Sequence, residues 1–242
     1  MLSDYNCKIL NIDRFKLHLG DEIVLKNEFQ KMIDDINLLG SLGFHKLVCQ
    51  TRYNHYIPTS NVKQSILALK RRIQKEVAHR LSGKFNISVV PTICLSSDTP
   101  YIKNLRALTL PKTNYIFLEL PFSEMSEHMH TAINKILYTQ KLLPVFTEFH
   151  IYSSFYEADD INKLINIKGA AFQFSLKHSV LPKNIKIIKQ ILRNGNTVLI
   201  GTSCDHSQLN KSDLLKNINL MKKLLGEDFY MTLVLRARAF AS

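Results

Sequence analysis

Apolar residues along this chain follow two periods. Short runs rich in β-branched and aromatic residues are separated by longer stretches whose apolar positions recur every three or four residues. The clearest short run is TNYIFLELPF, Thr113 to Phe122, whose centre from Tyr115 to Leu120 is too short for a globular helix and reads as a strand buried on both faces. The same signal predicts strands at Tyr5 to Leu10, Lys46 to Cys49, Ile87 to Ile93, Pro144 to Thr147, Ala170 to Phe174 and Thr197 to Ile200.

Between them lie helical stripes. Phe29, Met32, Ile33, Ile36 and Leu39 mark one, closed by Gly40; Val62, Ile66, Leu69, Ile73, Val77 and Leu81 mark the next. Met125, Met129, Ile133, Ile136 and Leu137 follow, then a helix near Ala158 to Ile165, another through Ile185, Ile188 and Ile191, one through Leu214, Leu215, Ile218, Met221 and Leu225, and a last from Phe229 to Phe240. Strands alternating with helices predict a parallel α/β sheet, and seven of them favour a closed or nearly closed barrel, with a doubly wound open sheet as the alternative. With 242 residues, 45% of them hydrophobic, and only 8 Gly and 7 Pro, nothing marks a linker, and residues 1–242 are expected to form a single domain.

Composition adds three points. The four cysteines, Cys7, Cys49, Cys94 and Cys204, show no CxxC spacing, which argues against a zinc cluster or a disulfide framework. No basic start precedes a long apolar core at the N-terminus and no run of eighteen apolar residues occurs, so a cytoplasmic protein is expected. The formal net charge of +12 suits nucleic acid, anionic lipid headgroups or an acidic protein. Its densest group, Lys63, Lys70, Arg71, Arg72, Lys75, Arg80 and Lys84, falls on the polar side of a helical stripe without interleaved aromatics. A solvated helix face is therefore favoured over a nucleic-acid surface.

Candidate chemistry gathers at strand ends. Glu119 closes the central apolar run, and the C-terminal ends of parallel strands are where α/β proteins collect ligands; a capping carboxylate is the structural alternative. The nine histidines form no HExxH, and the chain lacks GxSxG, GxGxxG and a phosphate-binding glycine loop.

Four segments, YIFLELPF (115–122), LLPVFTEFHIY (142–152), KGAAFQFS (168–175) and TVLIGTSCDHSQL (197–209), resemble in order and spacing the polymerase-and-histidinol-phosphatase (PHP) family, within it the CpsB/CapC type of manganese-dependent tyrosine phosphatase from capsule and exopolysaccharide operons. The resemblance implies a distorted (β/α)7 barrel with three metals at the strands' C-terminal ends. It also implies what is missing. Where the family has an Asp-x-His-Cys-His-like motif this chain reads Asp4-Tyr5-Asn6-Cys7-Lys8; Thr51-Arg52-Tyr53 stands where a histidine is expected, Cys94 at a bridging glutamate, Glu148 at a histidine, and Thr202-Ser203-Cys204-Asp205-His206 where the family reads Ser-Asp-x-His. Only Glu119 clearly keeps its ligand type.

An ammonium at Lys8 offers a metal no lone pair and repels a cation. The degenerate pocket, Asn6, Lys8, Arg52, Cys94, Glu119, Glu148, Ser203, Asp205 and His206, is therefore expected to have lost catalysis, with Lys8 and Arg52 pairing with the acids. Glu119, Glu148 and Asp205 are the remaining oxygen donors, suited to a single manganese or magnesium if residual activity survives; no cofactor is otherwise expected. The resemblance points to a non-catalytic relative that binds a phosphotyrosine protein or a polyanionic surface of the polysaccharide-export machinery. A residual metal-dependent tyrosine phosphatase or phosphoesterase, and a basic nucleic-acid binder, are the alternatives.

Overall fold

A computed structural model describes residues 8–11, 22–41, 46–53, 58–78, 86–202 and 210–240. Seven parallel strands close into a barrel in sequential order: β1 (Lys8–Asn11), β2 (Lys46–Arg52), β3 (Asn86–Cys94), β4 (Tyr115–Glu119), β5 (Leu143–Phe146), β6 (Ala171–Ser175) and β7 (Thr197–Thr202). Closure comes from β1 against β7, with Ile9 beside Gly201 and Leu10 beside Thr202. The α/β fold class is as the strand–helix alternation predicts, and the closed sheet decides against the open alternative.

The connections carry α1 (Glu22–Ser41), α2 (Thr59–Ala78), α3 (Glu127–Asn134), α4 (Phe149–Tyr152), α5 (Ala158–Ile165), α6 (Leu176–Ser179), α7 (Pro182–Arg193), α8 (Lys211–Leu225) and α9 (Glu227–Phe240). Helix α5 has the expected bounds. Helix α1 continues through Gly40 to Ser41 instead of closing at the glycine. The single helix expected from Met125 to Leu137 begins later, at Glu127, and widens after Asn134 into a π-turn over Lys135–Thr139. The one-turn helices α4 and α6 are too short to show a period and were not foreseen.

Two strand ends differ from expectation. β1 ends at Asn11, one residue past the expected Leu10, and β2 continues past Cys49 to Arg52. The extension of β2 is held by three further rungs to β3, Gln50 to Val90, Thr51 to Pro91 and Arg52 to Thr92. Gln50 and Thr51 look like turn residues in sequence, but both are buried.

Side-chain parity explains the core. Leu47, Cys49, Ile87, Val89, Ile116, Leu118, Phe172, Phe174, Val198 and Ile200 pack outward against the helices. The opposite parity places Val48, Val90, Phe117, Val145, Ala171 and Leu199 in a separate apolar layer inside the barrel. The end of α9 closes that layer from below: Ala237 and Phe240 join it, with the Phe240 ring 4.3 Å from Tyr115 and 6.4 Å from Phe117. Burying one such ring stabilises the closure by roughly 2–3 kcal/mol. On α2, Val62, Ile73 and Val77 are buried while Lys63, Arg71, Arg72 and Lys75 are exposed, which is the solvated basic face expected of that segment. Arg72 additionally lies 4.2 Å over the Phe29 ring of α1. Among the described residues, no helix is long and apolar enough to cross a membrane.

Candidate functional site

Two residues further along each strand, the barrel interior turns polar. Gln50 on β2, Thr92 on β3 and Gln173 on β6 follow Val48, Val90 and Ala171 at the same parity, and all three are buried. Buried amides must find partners, and these find each other. Thr92 Oγ1 donates to Gln50 Oε1 (3.4 Å), Gln50 Nε2 donates to Gln173 Oε1 (2.8 Å), and Gln173 Nε2 donates to Glu148 Oε1 (3.2 Å). The chain of bonds runs across the lumen and ends on a carboxylate at the mouth.

Glu148 is also fixed from the other side. It lies two residues past β5 in the left-handed region, φ 48°, an unusual conformation for a residue with a side chain. Its Oε2 is 3.4 Å from His150 Nε2. The Ser175 backbone N–H donates to His150 Nδ1 (3.3 Å), so the neutral imidazole carries its proton on Nε2, facing Glu148. His150 stacks on His178 at 4.5 Å with 13° between the rings, and His178 Nδ1 lies 3.3 Å from Ser175 Oγ. Burial, reinforced by the positive charge His178 can carry, lowers the His150 pKa from 6.5 to about 4. His150 is thus a neutral donor at physiological pH.

The second half of the mouth is built from β2, β3 and β4. Cys94 and Glu119 are register partners at the ends of β3 and β4, which puts their side chains on the same face; Cys94 Sγ donates to Glu119 Oε2 at 3.4 Å. Arg52, at the end of β2, donates from its Nη2 to Glu119 Oε1 at 2.8 Å, with side-chain exposures of 52% for Arg52 and 13% for Glu119. Tyr152 of α4 is fully buried beside this group. Its phenol is held protonated chiefly by burial, with further contributions from the charges of Glu119, Tyr156 and Cys94, against a smaller opposing contribution from Arg52.

Arg52, Cys94, Glu119 and Glu148 therefore stand at the C-terminal ends of β2 to β5, and the expected contact of Arg52 with Glu119 is present. Glu148 is met by Gln173 and His150. Lys8 opens β1, but its side chain lies outside the described set, as do Asn6, Ser203, Asp205 and His206. Sequence reasoning passed over Gln50, Thr92, Gln173, His150, His178 and Tyr152. The available signal was a polar residue within or directly after an apolar run: Thr92 and Gln173 fall inside predicted strands and Gln50 directly follows one.

The resemblance to a metal enzyme sets a test of fit. Among the described residues, no three His, Cys, Asp or Glu side chains are grouped as a cation site requires. The acid that keeps its ligand type, Glu119, has its two oxygens engaged by a guanidinium and a thiol. The described residues do not fit a metal cluster.

The comparisons define the class first: residues 43–239 match the family described as Capsular polysaccharide synthesis, CpsB/CapC, and the chain belongs to that family. Among solved structures it is similar to the one described as YwqE from Bacillus subtilis and CpsB from Streptococcus pneumoniae, unique metal-dependent tyrosine phosphatases; the TM-score is 0.63 at 14% identity, over 88% of this chain and 86% of that one. It is also similar to N-isopropylammelide isopropylaminohydrolase from Burkholderia multivorans, with a TM-score of 0.56 at 10% identity, over 97% of this chain and 74% of that one. At such identities these likenesses establish the barrel fold. No curated protein gives a significant sequence match.

Proposed function

We propose that this CpsB/CapC family member is a non-catalytic PHP-fold relative of metal-dependent tyrosine phosphatases, which acts by binding a phosphorylated or polyanionic partner in capsule or exopolysaccharide biosynthesis. The observation that carries this reading is the Arg52–Glu119 contact at 2.8 Å. A guanidinium placed on the retained acid supplies positive charge where the family resemblance implies metal, and it lowers the affinity of that carboxylate for a cation. The same guanidinium, half exposed at the mouth, is suited to phosphoryl oxygens: its five N–H donors form a planar fork that matches phosphate geometry. The chain's net charge of +12 favours encounter with polyanions generally.

The test joins metal analysis to ligand binding. Protein purified without chelator is expected to carry no stoichiometric manganese or magnesium, and to show no steady turnover of a phosphotyrosine peptide when manganese is added. It is expected to bind that peptide with an affinity that falls as salt rises. Arg52→Ala should weaken binding by roughly ten- to a hundredfold, the value of one or two charge-assisted hydrogen bonds. Manganese-dependent hydrolysis that disappears in Glu119→Ala would overturn the reading.

A further inference from the structure

Cys94, Glu119 and Arg52 make up an arrangement that anion binding alone does not require. A nucleophile is recognised by a base within hydrogen-bond reach, the base being oriented by a third group. Here the thiol touches Glu119 Oε2 at 3.4 Å, and Arg52 fixes the other oxygen at 2.8 Å. Cys94 is exposed at the end of β3, whereas Cys49 on β2 is fully buried and its thiol is pushed up to about 12 by burial. The two cysteines thus differ in access, and only Cys94 can be reached from the mouth.

A second feature concerns what reaches this thiol. Phe122, three residues beyond Glu119, is 67% exposed and Phe155 is 46% exposed. Their rings stack at 6.2 Å with 22° between planes, and both rest on Tyr152, at 5.4 and 5.7 Å. Phe122 follows Glu119 by three residues and packs on Tyr152, so the aromatic wall stands beside the end of β4 that carries Glu119. A flat ring can lie against this wall while an attached anion meets Arg52.

We propose that Cys94 is a phosphoryl acceptor that captures the phosphoryl group of an aryl phosphate without metal. This rests on the reading of the mouth as a site for phosphorylated ligands and carries it from reversible contact to covalent retention. Glu119 takes the thiol proton as Cys94 Sγ attacks phosphorus; the S–P bond forms, the P–O bond to the aryl group breaks, and Glu119 returns the proton to the departing aryl oxygen. The products are an S-phosphorylated cysteine and a phenol, and Glu119 ends as the carboxylate it began. Arg52 holds the phosphoryl oxygens throughout, offsetting the repulsion between their charge and that of Glu119.

The experiment mixes the full chain, in chelated metal-free buffer, with excess para-nitrophenyl phosphate, and follows nitrophenol release together with intact mass. The expected result is a burst of one nitrophenol per chain with no steady phase, and a phosphoryl group that peptide mapping locates on Cys94. Cys94→Ala, or wild-type protein alkylated at Cys94 by iodoacetamide, should give no burst, and Glu119→Gln should slow the burst about a hundredfold by removing the base. Binding of a phosphotyrosine peptide is measured in parallel by fluorescence anisotropy. Peptide binding with neither burst nor mass gain overturns capture and leaves the binding reading in place; loss of both overturns both. Release that continues past one equivalent, or a burst that persists in Cys94→Ala, also overturns capture.

Discussion

Replacing Gln173 with leucine tests whether the polar interior supports the mouth. Gln173 is fully buried, accepts from Gln50 Nε2 at 2.8 Å and donates to Glu148 Oε1 at 3.2 Å. Leucine has a similar size but can make neither bond, so the substitution strands a buried amide and removes one donor from a carboxylate. Each such loss costs roughly 1–3 kcal/mol, more where charge is involved, while burial of leucine's apolar surface returns roughly 1 kcal/mol. The expected net cost is about 3 kcal/mol, a fall in unfolding midpoint of about 6–12 °C for a domain of this size. The chain has no tryptophan, so unfolding in urea is best followed by far-ultraviolet circular dichroism. An unchanged denaturant slope would show that the native and unfolded states keep their compactness. Gln50→Leu should cost a similar amount, and Gln50→Leu/Gln173→Leu should cost less than the sum by about 1 kcal/mol or more, because neither amide is then left facing a missing partner. A Gln173→Leu protein destabilised by less than about 1 kcal/mol, or strictly additive effects, would refute the view that this chain of amides is cooperative.

Two further outcomes follow from the same structure. His150 has its pKa lowered to about 4, so between that value and its ordinary 6.5 the unfolded chain binds more protons; stability is fully present above the ordinary value and is lost as pH falls through this window. With Glu148 and His178 as its charged or titratable neighbours, the loss attributable to His150 between pH 7 and pH 5 is about 2 kcal/mol, and His150→Leu, less stable at neutral pH, should flatten that part of the profile in urea melts at stepped pH. Gly169 sits at φ +81°, where an added Cβ would meet Leu143 Cδ2 at 3.2 Å, while Gly195 at φ +85° has nothing within 4 Å of such an atom. Gly169→Ala should therefore cost about 2 kcal/mol and Gly195→Ala about 1 kcal/mol, and equal thermal midpoints for the two variants would show that backbone conformation alone sets the penalty.

The sequence by itself determined the parallel α/β class, the order of seven strands and the placing of Glu119 at a strand end. Each of these rests on local periodicity, which a chain must satisfy before any distant contact forms. The ends of β3, β4 and β6, at Cys94, Glu119 and Ser175, fall within one residue of expectation because a residue that is not aliphatic or aromatic interrupts the apolar run at each. The family was legible for a related reason, since its four segments are the strand-end regions themselves, and residues 43–239 match it.

Tertiary structure alone decided the rest. Arg52 reads as a loop residue in sequence and becomes a strand residue because β3 supplies three further rungs to pair with. Gln50 and Gln173 are 123 residues apart, and nothing local marks them as partners until barrel closure brings one amide to the other, 2.8 Å apart. The same is true of His150, whose neutral state follows from burial and from a histidine on another element. Closure at β1 and β7, and the seating of Phe240 beneath the interior layer, likewise depend on pairings between opposite ends of the chain. Local pattern tells each residue which face it occupies. Which residues share the inside of the barrel is a property of the closed sheet, because only closure turns equal parity on different strands into contact.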